Sequence, residues 1–224
     1  MPVREGGGPR LRAEALACRR GGRAIFSGLS FELWPGQALE LRGANGSGKT
    51  SLLRLLAGLT PAAAGSLCWD GQPLRPGDPT HRQDFAYLGH HNALSAELTA
   101  LENLRFAQQL GGGPGDATAL QQALQTWDMA PRATQPLRRL SQGQQRRVAL
   151  ARVGLGRRRL WLLDEPCAGL DEAGERLFDA RLAEHLAGGG LAVVATHQAL
   201  RLRSEARCLL ALPASPRQPA PAAC

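Results

Sequence analysis

Residues Gly43 to Thr50 read GANGSGKT. They follow ALELR, an alternating apolar segment, and precede SLLRLLAGL, whose leucines recur at helical spacing. The pattern G-x-x-x-x-G-K-[ST] between a strand and a helix is a phosphate-binding loop. Gly43, Ala44, Asn45, Gly46, Ser47 and Gly48 supply a backbone that can curl until successive N–H groups face phosphate oxygens. The helix entered at Lys49, Thr50 and Ser51 adds its positive end, worth about half a charge. Lys49 is expected to reach the β- and γ-phosphates, and the Thr50 hydroxyl to meet Mg²⁺. Arginine supplies all but one of the 27 basic residues, and the exception is Lys49. A compact ammonium is therefore kept where a point charge must fit between phosphates.

The chain has 224 residues, 43% of them hydrophobic, which suits one domain with a possible subdomain. No apolar run approaches the roughly 18–20 residues that span a bilayer. The start, MPVREGGGPR, lacks an apolar signal core, so a cytoplasmic location is expected. Five scattered cysteines form no CxxC pair, which argues against zinc and disulfides. The net charge of +8 suits nucleic acid, an anionic membrane surface or phosphate ligands. It equally suits a plain surface bias toward arginine.

Residues 1–10 and 213–224 are Gly/Pro- and Pro/Ala-rich and are expected to be flexible or disordered. LSFELWPGQALELRG reads as two strands around a Pro-Gly turn, and Asp70-Gly71 as a hairpin turn. DFAYLG reads as another strand. From Thr99 to about Arg157 the pattern is helical, with loops at GGGPGD and APRATQP. RLWLLDEP and LAVVATH read as buried strands of a parallel sheet, and AGERLFDARLAEHLA between them as an amphipathic helix. The order implies an α/β core with an inserted helical subdomain. We place the core at 11–80 and 156–212 and the insert at about 81–155, all in one nucleotide-binding domain.

RLWLLDEP ends on Asp164 and Glu165. After a phosphate loop, a strand-end aspartate can reach Mg²⁺, directly or through water. The adjacent glutamate can act on an attacking water, a general-base role worth about 10²–10⁴ in rate. An acidic pair without such a loop would ordinarily be a solvated strand end.

LSQGQQRRVALAR, Leu140 to Arg152, resembles the signature motif of ATP-binding cassette (ABC) ATPases, usually written LSGGQ. GANGSGKT then resembles Walker A, LWLLDEP Walker B, AGLD with Asp171 the D-loop, and His197 in VVATHQAL the switch histidine. The resemblance covers about Leu11 to Leu212. It implies a P-loop NTPase with a RecA-like core, an N-terminal antiparallel β subdomain and an inserted α-helical subdomain. It also implies a homodimer holding two ATP molecules at its interface. Lys49 and Thr50 of one subunit would hold the phosphates, and Ser141, Gln142, Gly143 and Gln144 of the other would cover them. His197 would hydrogen-bond the γ-phosphate. Ser141 also reads as a plain helix N-cap. Gln142 replaces the usual glycine, which puts the shape of the signature turn in question.

Finer details resemble one branch, the haem-exporter ATPases of cytochrome c maturation (CcmA type). They are CRRGGRAIFSGLSFEL, YLGHHNALSAELTALENL and the signature segment. That resemblance implies integral membrane subunits as partners at the cytoplasmic face of the bacterial inner membrane. It also implies ATP turnover that drives haem export or release of a haem-loaded periplasmic chaperone, with no haem on this chain. Another ABC importer or exporter is the alternative. A nucleic-acid-linked ABC ATPase fits less well, because such proteins usually carry two cassettes or a long coiled-coil insert, and only 4% of this chain is aromatic.

Two departures matter. Many ABC domains stack adenine on an aromatic residue where this chain has Arg20, whose planar guanidinium can also stack. His90 and His91 fall at the Q-loop, and His91 stands where a glutamine is expected to touch Mg²⁺ or the attacking water. Adjacent loop residues point apart, so a shared metal site is not expected.

Overall fold

The computed structural model describes residues 8, 10–78, 81, 83–111, 113, 116–156 and 158–213. The termini expected to be loose lie outside the described residues, apart from 8, 10 and 213, as does part of the GGGPGD loop. In chain order the described residues form β1 (Leu11–Arg20), β2 (Arg23–Leu33), β3 (Ala38–Arg42), α1 (Lys49–Leu56), β4 (Ala64–Trp69), β5 (Gln72–Pro73) and β6 (Phe85–Leu88). There follow α2 (Ala100–Leu110), α3 (Ala117–Thr126), α4 (Gln142–Val153), β7 (Leu160–Asp164), α5 (Glu172–Ala187), β8 (Leu191–Ala195) and β9 (Arg207–Ala211).

The strands build two sheets. One is antiparallel in the order β2-β1-β4-β5, and the other parallel in the order β6-β7-β8-β3-β9. The β1–β2 hairpin closes through Gly21 and Gly22, both at positive φ. That is the backbone a two-residue turn needs to match strand twist. Asp70 and Gly71 do the same between β4 and β5.

The parallel sheet is buried on both faces. Along β8, Leu191, Val193 and Ala195 join the core shared with α1 and the antiparallel sheet, while Ala192 and Val194 join the core shared with α4 and α5. Strict alternation between two apolar cores is why this strand reads as an unbroken apolar run. The inserted helices are started by their own side chains. Thr99 and Glu102 form a capping box on α2, Asp116 caps α3, and Ser141 and Gln144 form a second box on α4.

Three differences from the sequence reading stand out. The two strands around Pro35-Gly36 lie in different sheets, so the turn is a crossover. β6 pairs with β7 in the parallel sheet, so the helical insert begins after Leu88 rather than near 81. No separate strand is read from the sequence at β1 or β9, although β1 falls in the antiparallel β subdomain that the resemblance implies. The alternation of β9 is shallow because it lies at the sheet edge, beside β3 alone. No described helix is long and apolar enough to cross a membrane.

The two sheets are tied at Asp84. Its carboxylate accepts Arg159 Nε at 2.9 Å and Nη2 at 2.5 Å, and the Trp69 indole at 2.9 Å. Arg159 Nη1 also reaches Asp70 at 2.7 Å. Burial alone would raise the Asp84 pKa, but the bonds from Arg159 and Trp69 outweigh it and hold the carboxyl below its ordinary value. Asp84 therefore stays charged to lower pH when folded than when unfolded. Its stabilisation is whole above about pH 4 and is lost as pH falls through the depressed folded value. Asp84→Asn should lower stability at neutral pH by about 1–2 kcal/mol, a charged hydrogen bond discounted for partial exposure. It should also flatten the acid-side loss. Urea unfolding at several pH values checks both, and an unchanged midpoint at pH 7 would contradict the assignment.

Candidate functional site

Four segments singled out from the sequence leave the parallel sheet at the carboxyl ends of their strands: Gly43–Thr50 after β3, Glu165 after β7, Thr196–His197 after β8, and Gly89–His91 after β6. This is the edge where open α/β sheets bind ligands.

Gly43, Gly46 and Gly48 of the loop all have positive φ. At Gly48 a Cβ would also stand 2.5 Å from Ile25 Cγ2, so only glycine fits where β2 packs on the loop. Ala44, Asn45 and Gly46 are exposed, while Ser47 and Lys49 are buried. Lys49 Nζ turns back across the loop to the carbonyls of Gly43 at 2.8 Å and Ala44 at 3.3 Å. The Ser47 hydroxyl is buried without a hydrogen-bond partner. α1 begins without a side-chain cap, which leaves its first N–H groups available, and Ser51 lies in its first turn.

The Thr50 hydroxyl donates to Asp164 Oδ2 at 2.7 Å across the end of β8. Two hard oxygen ligands thus converge, a donor set that fits Mg²⁺. Glu165 has φ 49, a left-handed backbone that costs a non-glycine residue about 1–2 kcal/mol. Its Oε1 is buried, makes no hydrogen bond, and lies 3.3 Å from His197 Nε2. His197 is held through its carbonyl, which accepts Arg42 Nη1 at 2.9 Å. Arg42 in turn pairs with the fully buried Glu40, which also accepts the Leu200 N–H at 3.0 Å. Glu40 thus anchors the segment after β8 to β3.

Ser141–Gln144 and Asp171 come together elsewhere, around a cleft of about 620 Å³ whose lining includes no phosphate-loop residue. The Ser141 hydroxyl accepts the Gln144 N–H at 3.2 Å, and Gln144 Oε1 accepts the Ser141 N–H at 3.0 Å. Gln142 is exposed between them, so its side chain leaves the turn intact. Gly143 is needed for close approach, since a Cβ there would stand 2.5 Å from the Gly169 carbonyl oxygen. Asp171 caps α5 through the Gly174 N–H and pairs with Arg147 at 2.6 Å. Arg147 first, then the Gly174 N–H, holds the Asp171 carboxyl below its ordinary pKa.

His90 and His91 are exposed, with rings edge to face and centroids 5.5 Å apart. Arg20 ends β1 on the face that carries Leu16 and Cys18 by strand alternation. Cys18 pairs with Phe26, which packs beside Gly48, so that face of the hairpin meets the phosphate loop.

Sequence reading missed Glu40 and Arg146. Arg146 is 3% exposed and donates to the carbonyls of Asp164, Glu165 and Pro166. The signal was present, since positions 146, 149, 150 and 153 share one helical face and only the first is not apolar.

The chain matches the family model described as ABC transporter over residues 26–168. It is 52% identical over 190 residues to the cytochrome c biogenesis ATP-binding export protein CcmA 2 of Cupriavidus metallidurans, covering 85% of this chain and 90% of that one. It is 48% identical over 203 residues to the CcmA protein of Cupriavidus necator, covering 89% of each. The fold resembles a putative ABC transporter ATP-binding protein from Pyrococcus furiosus, with TM-score 0.77 and 20% identity over 90% of this chain and 96% of that one. It also resembles an ATP-binding subunit of an ABC transporter, with TM-score 0.74 and 26% identity over 84% of this chain and 79% of that one. A phosphate loop and a strand-end Asp-Glu pair on a five-stranded parallel sheet, with a serine-capped turn on an inserted helix, agree with these likenesses: the chain belongs to the ATP-binding family of ABC transporters, in its CcmA-type cytochrome c biogenesis branch.

Proposed function

We propose that this ABC ATPase subunit hydrolyses Mg-ATP between two copies of itself and thereby powers integral membrane subunits of a cytochrome c maturation complex. The observation that carries the reading is the meeting of Thr50 and Asp164 beside Lys49, with Glu165 and His197 one strand end away. In this reading residues 11–212 act as one nucleotide-binding domain at the cytoplasmic face of the bacterial inner membrane. The CcmA-type relatives support the link to cytochrome c biogenesis. The energy would serve export of haem, or release of a haem-loaded chaperone, by the partners, with no haem on this chain.

Phosphate oxygens would take the N–H groups of Gly43–Ser51 and the start of α1. Lys49 would release its loop carbonyls to meet the β- and γ-phosphates. Thr50 and Asp164 would hold Mg²⁺, directly or through water. The ion would supply neutralisation of charge on the phosphate oxygens. Glu165 would accept the proton of the attacking water, its Oε1, which makes no hydrogen bond, being suited to that task, and His197 would donate to the γ-phosphate. His91, at the carboxyl end of β6, would address the water or the ion in place of the usual glutamine. Arg20 would stack on adenine from the hairpin face above the loop. Ser141–Gln144 of the second copy would cover the γ-phosphate, and Asp171 would sit at the same interface.

Glu165→Gln should reduce turnover by about 10²-fold or more while leaving ATP affinity unchanged, because a general base acts only in the transition state. Steady-state phosphate release beside nucleotide titration checks it, and turnover at the native rate would remove Glu165 from the role. In the same titration Lys49→Ala should weaken ATP binding at least 10-fold and Arg20→Ala by a few-fold. Unchanged affinity in either variant would refute that residue's assignment.

A further inference from the structure

Arg146 lies in the second turn of α4 and is almost completely enclosed. All five of its N–H donors find acceptors. Nε donates to the Pro166 carbonyl at 3.0 Å. Nη2 donates to the carbonyls of Asp164 and Glu165, each at 2.7 Å. Nη1 donates to the Gly89 carbonyl at 3.2 Å and to Asn92 Oδ1 at 2.9 Å. A buried cation is tolerated only when every donor is matched, and here the match is made by neutral dipoles.

The acceptors explain the backbone at the base. Carbonyls of three successive residues, 164 to 166, converge on one guanidinium, which an extended strand cannot do because its carbonyls alternate. The left-handed conformation of Glu165 turns the chain so that they converge. Arg146 thus compensates the backbone strain at Glu165, while the Glu165 N–H is fixed by the Ala195 carbonyl at 2.9 Å. The same guanidinium holds Gly89 and Asn92 on either side of His90 and His91. Arg152, further along α4, donates to the Ala93 carbonyl at 3.0 Å.

We propose that Arg146 is a positioning residue for hydrolysis, joining the signature helix, the segment 89–92 and the backbone of Glu165 into one unit. The inference rests on Glu165 being the general base. A shift of α4 or of the 89–92 loop then moves the base, and the base cannot shift without them. Only a planar fork with five donors serves this geometry, so lysine is no substitute.

The test uses the full chain assembled with its membrane subunits. ATPase kinetics and melting temperature are measured for Arg146→Lys, Asn92→Ala and Glu165→Gln. Arg146→Lys should lower kcat by about 10–100-fold, the scale of a misplaced reacting group. Its KM for ATP should change less than about threefold, because the phosphate loop is untouched. Asn92→Ala removes one of the five acceptors at a half-buried position, where water can take the freed Nη1 donor. It should fold with a near-native melting temperature and lose kcat several-fold, which keeps the test decisive if Arg146→Lys does not fold. Native kcat in folded Arg146→Lys, or in Asn92→Ala, would overturn the proposal, as would a loss confined to KM. Native turnover in Glu165→Gln would instead overturn the base assignment on which it rests.

Discussion

The register of the parallel sheet is the constraint on which the site depends. Asp164 of β7 stands level with Ala195 of β8, and Ala195 stands level with Leu41 of β3. Strand ends in that row release three loops at one height, so Thr50 can bond Asp164 and His197 can approach Glu165. A slip of one residue would turn each strand's side chains to the opposite face and separate these pairs. The register is secured by burial, since β7 and β8 feed two apolar cores alternately. The packing that makes the fold stable is therefore the packing that sets the distances in the site.

Much of this was legible in the sequence where a residue type has one physical use. A glycine-rich loop ending in the sole lysine, between a strand and a helix, has few other readings. Apolar runs closed by Asp164 and by Thr196–His197 gave β7 and β8. Ser141 and Thr99 announced the helices they cap. Less legible were features whose meaning depends on partners distant in sequence. β9 looks like any short apolar segment until β3 lies beside it. β6 reads as a strand in DFAYLG, but its place in the parallel sheet, outside the helical insert, shows only when it pairs with β7. Glu40 looks like a surface charge, and the apolar helical face that carries Arg146 marks it as buried without naming its partners; only the fold shows one bound to the Leu200 N–H and the other to five acceptors.

The second surface explains why the motifs fall in two groups. Ser141–Gln144, Gly169 and Asp171 line an open cleft away from the phosphate loop, and Gly143 packs so closely on the Gly169 carbonyl that no side chain fits between the two loops. A capped helix start facing open space is suited to an anion brought by another molecule. In the proposed reading the first site would hold phosphates from one side, and this cleft would offer the opposite wall. Two copies related by a twofold axis would complete both sites at once.

The most direct measurement is therefore the mass of the full chain in solution with and without nucleotide, using Glu165→Gln to block turnover. Sedimentation with saturating Mg-ATP should show a dimer, and the same chain without nucleotide a monomer. Adding Ser141→Arg should keep ATP bound and return the protein to a monomer. A Glu165→Gln chain that is saturated with ATP yet remains monomeric would contradict the account.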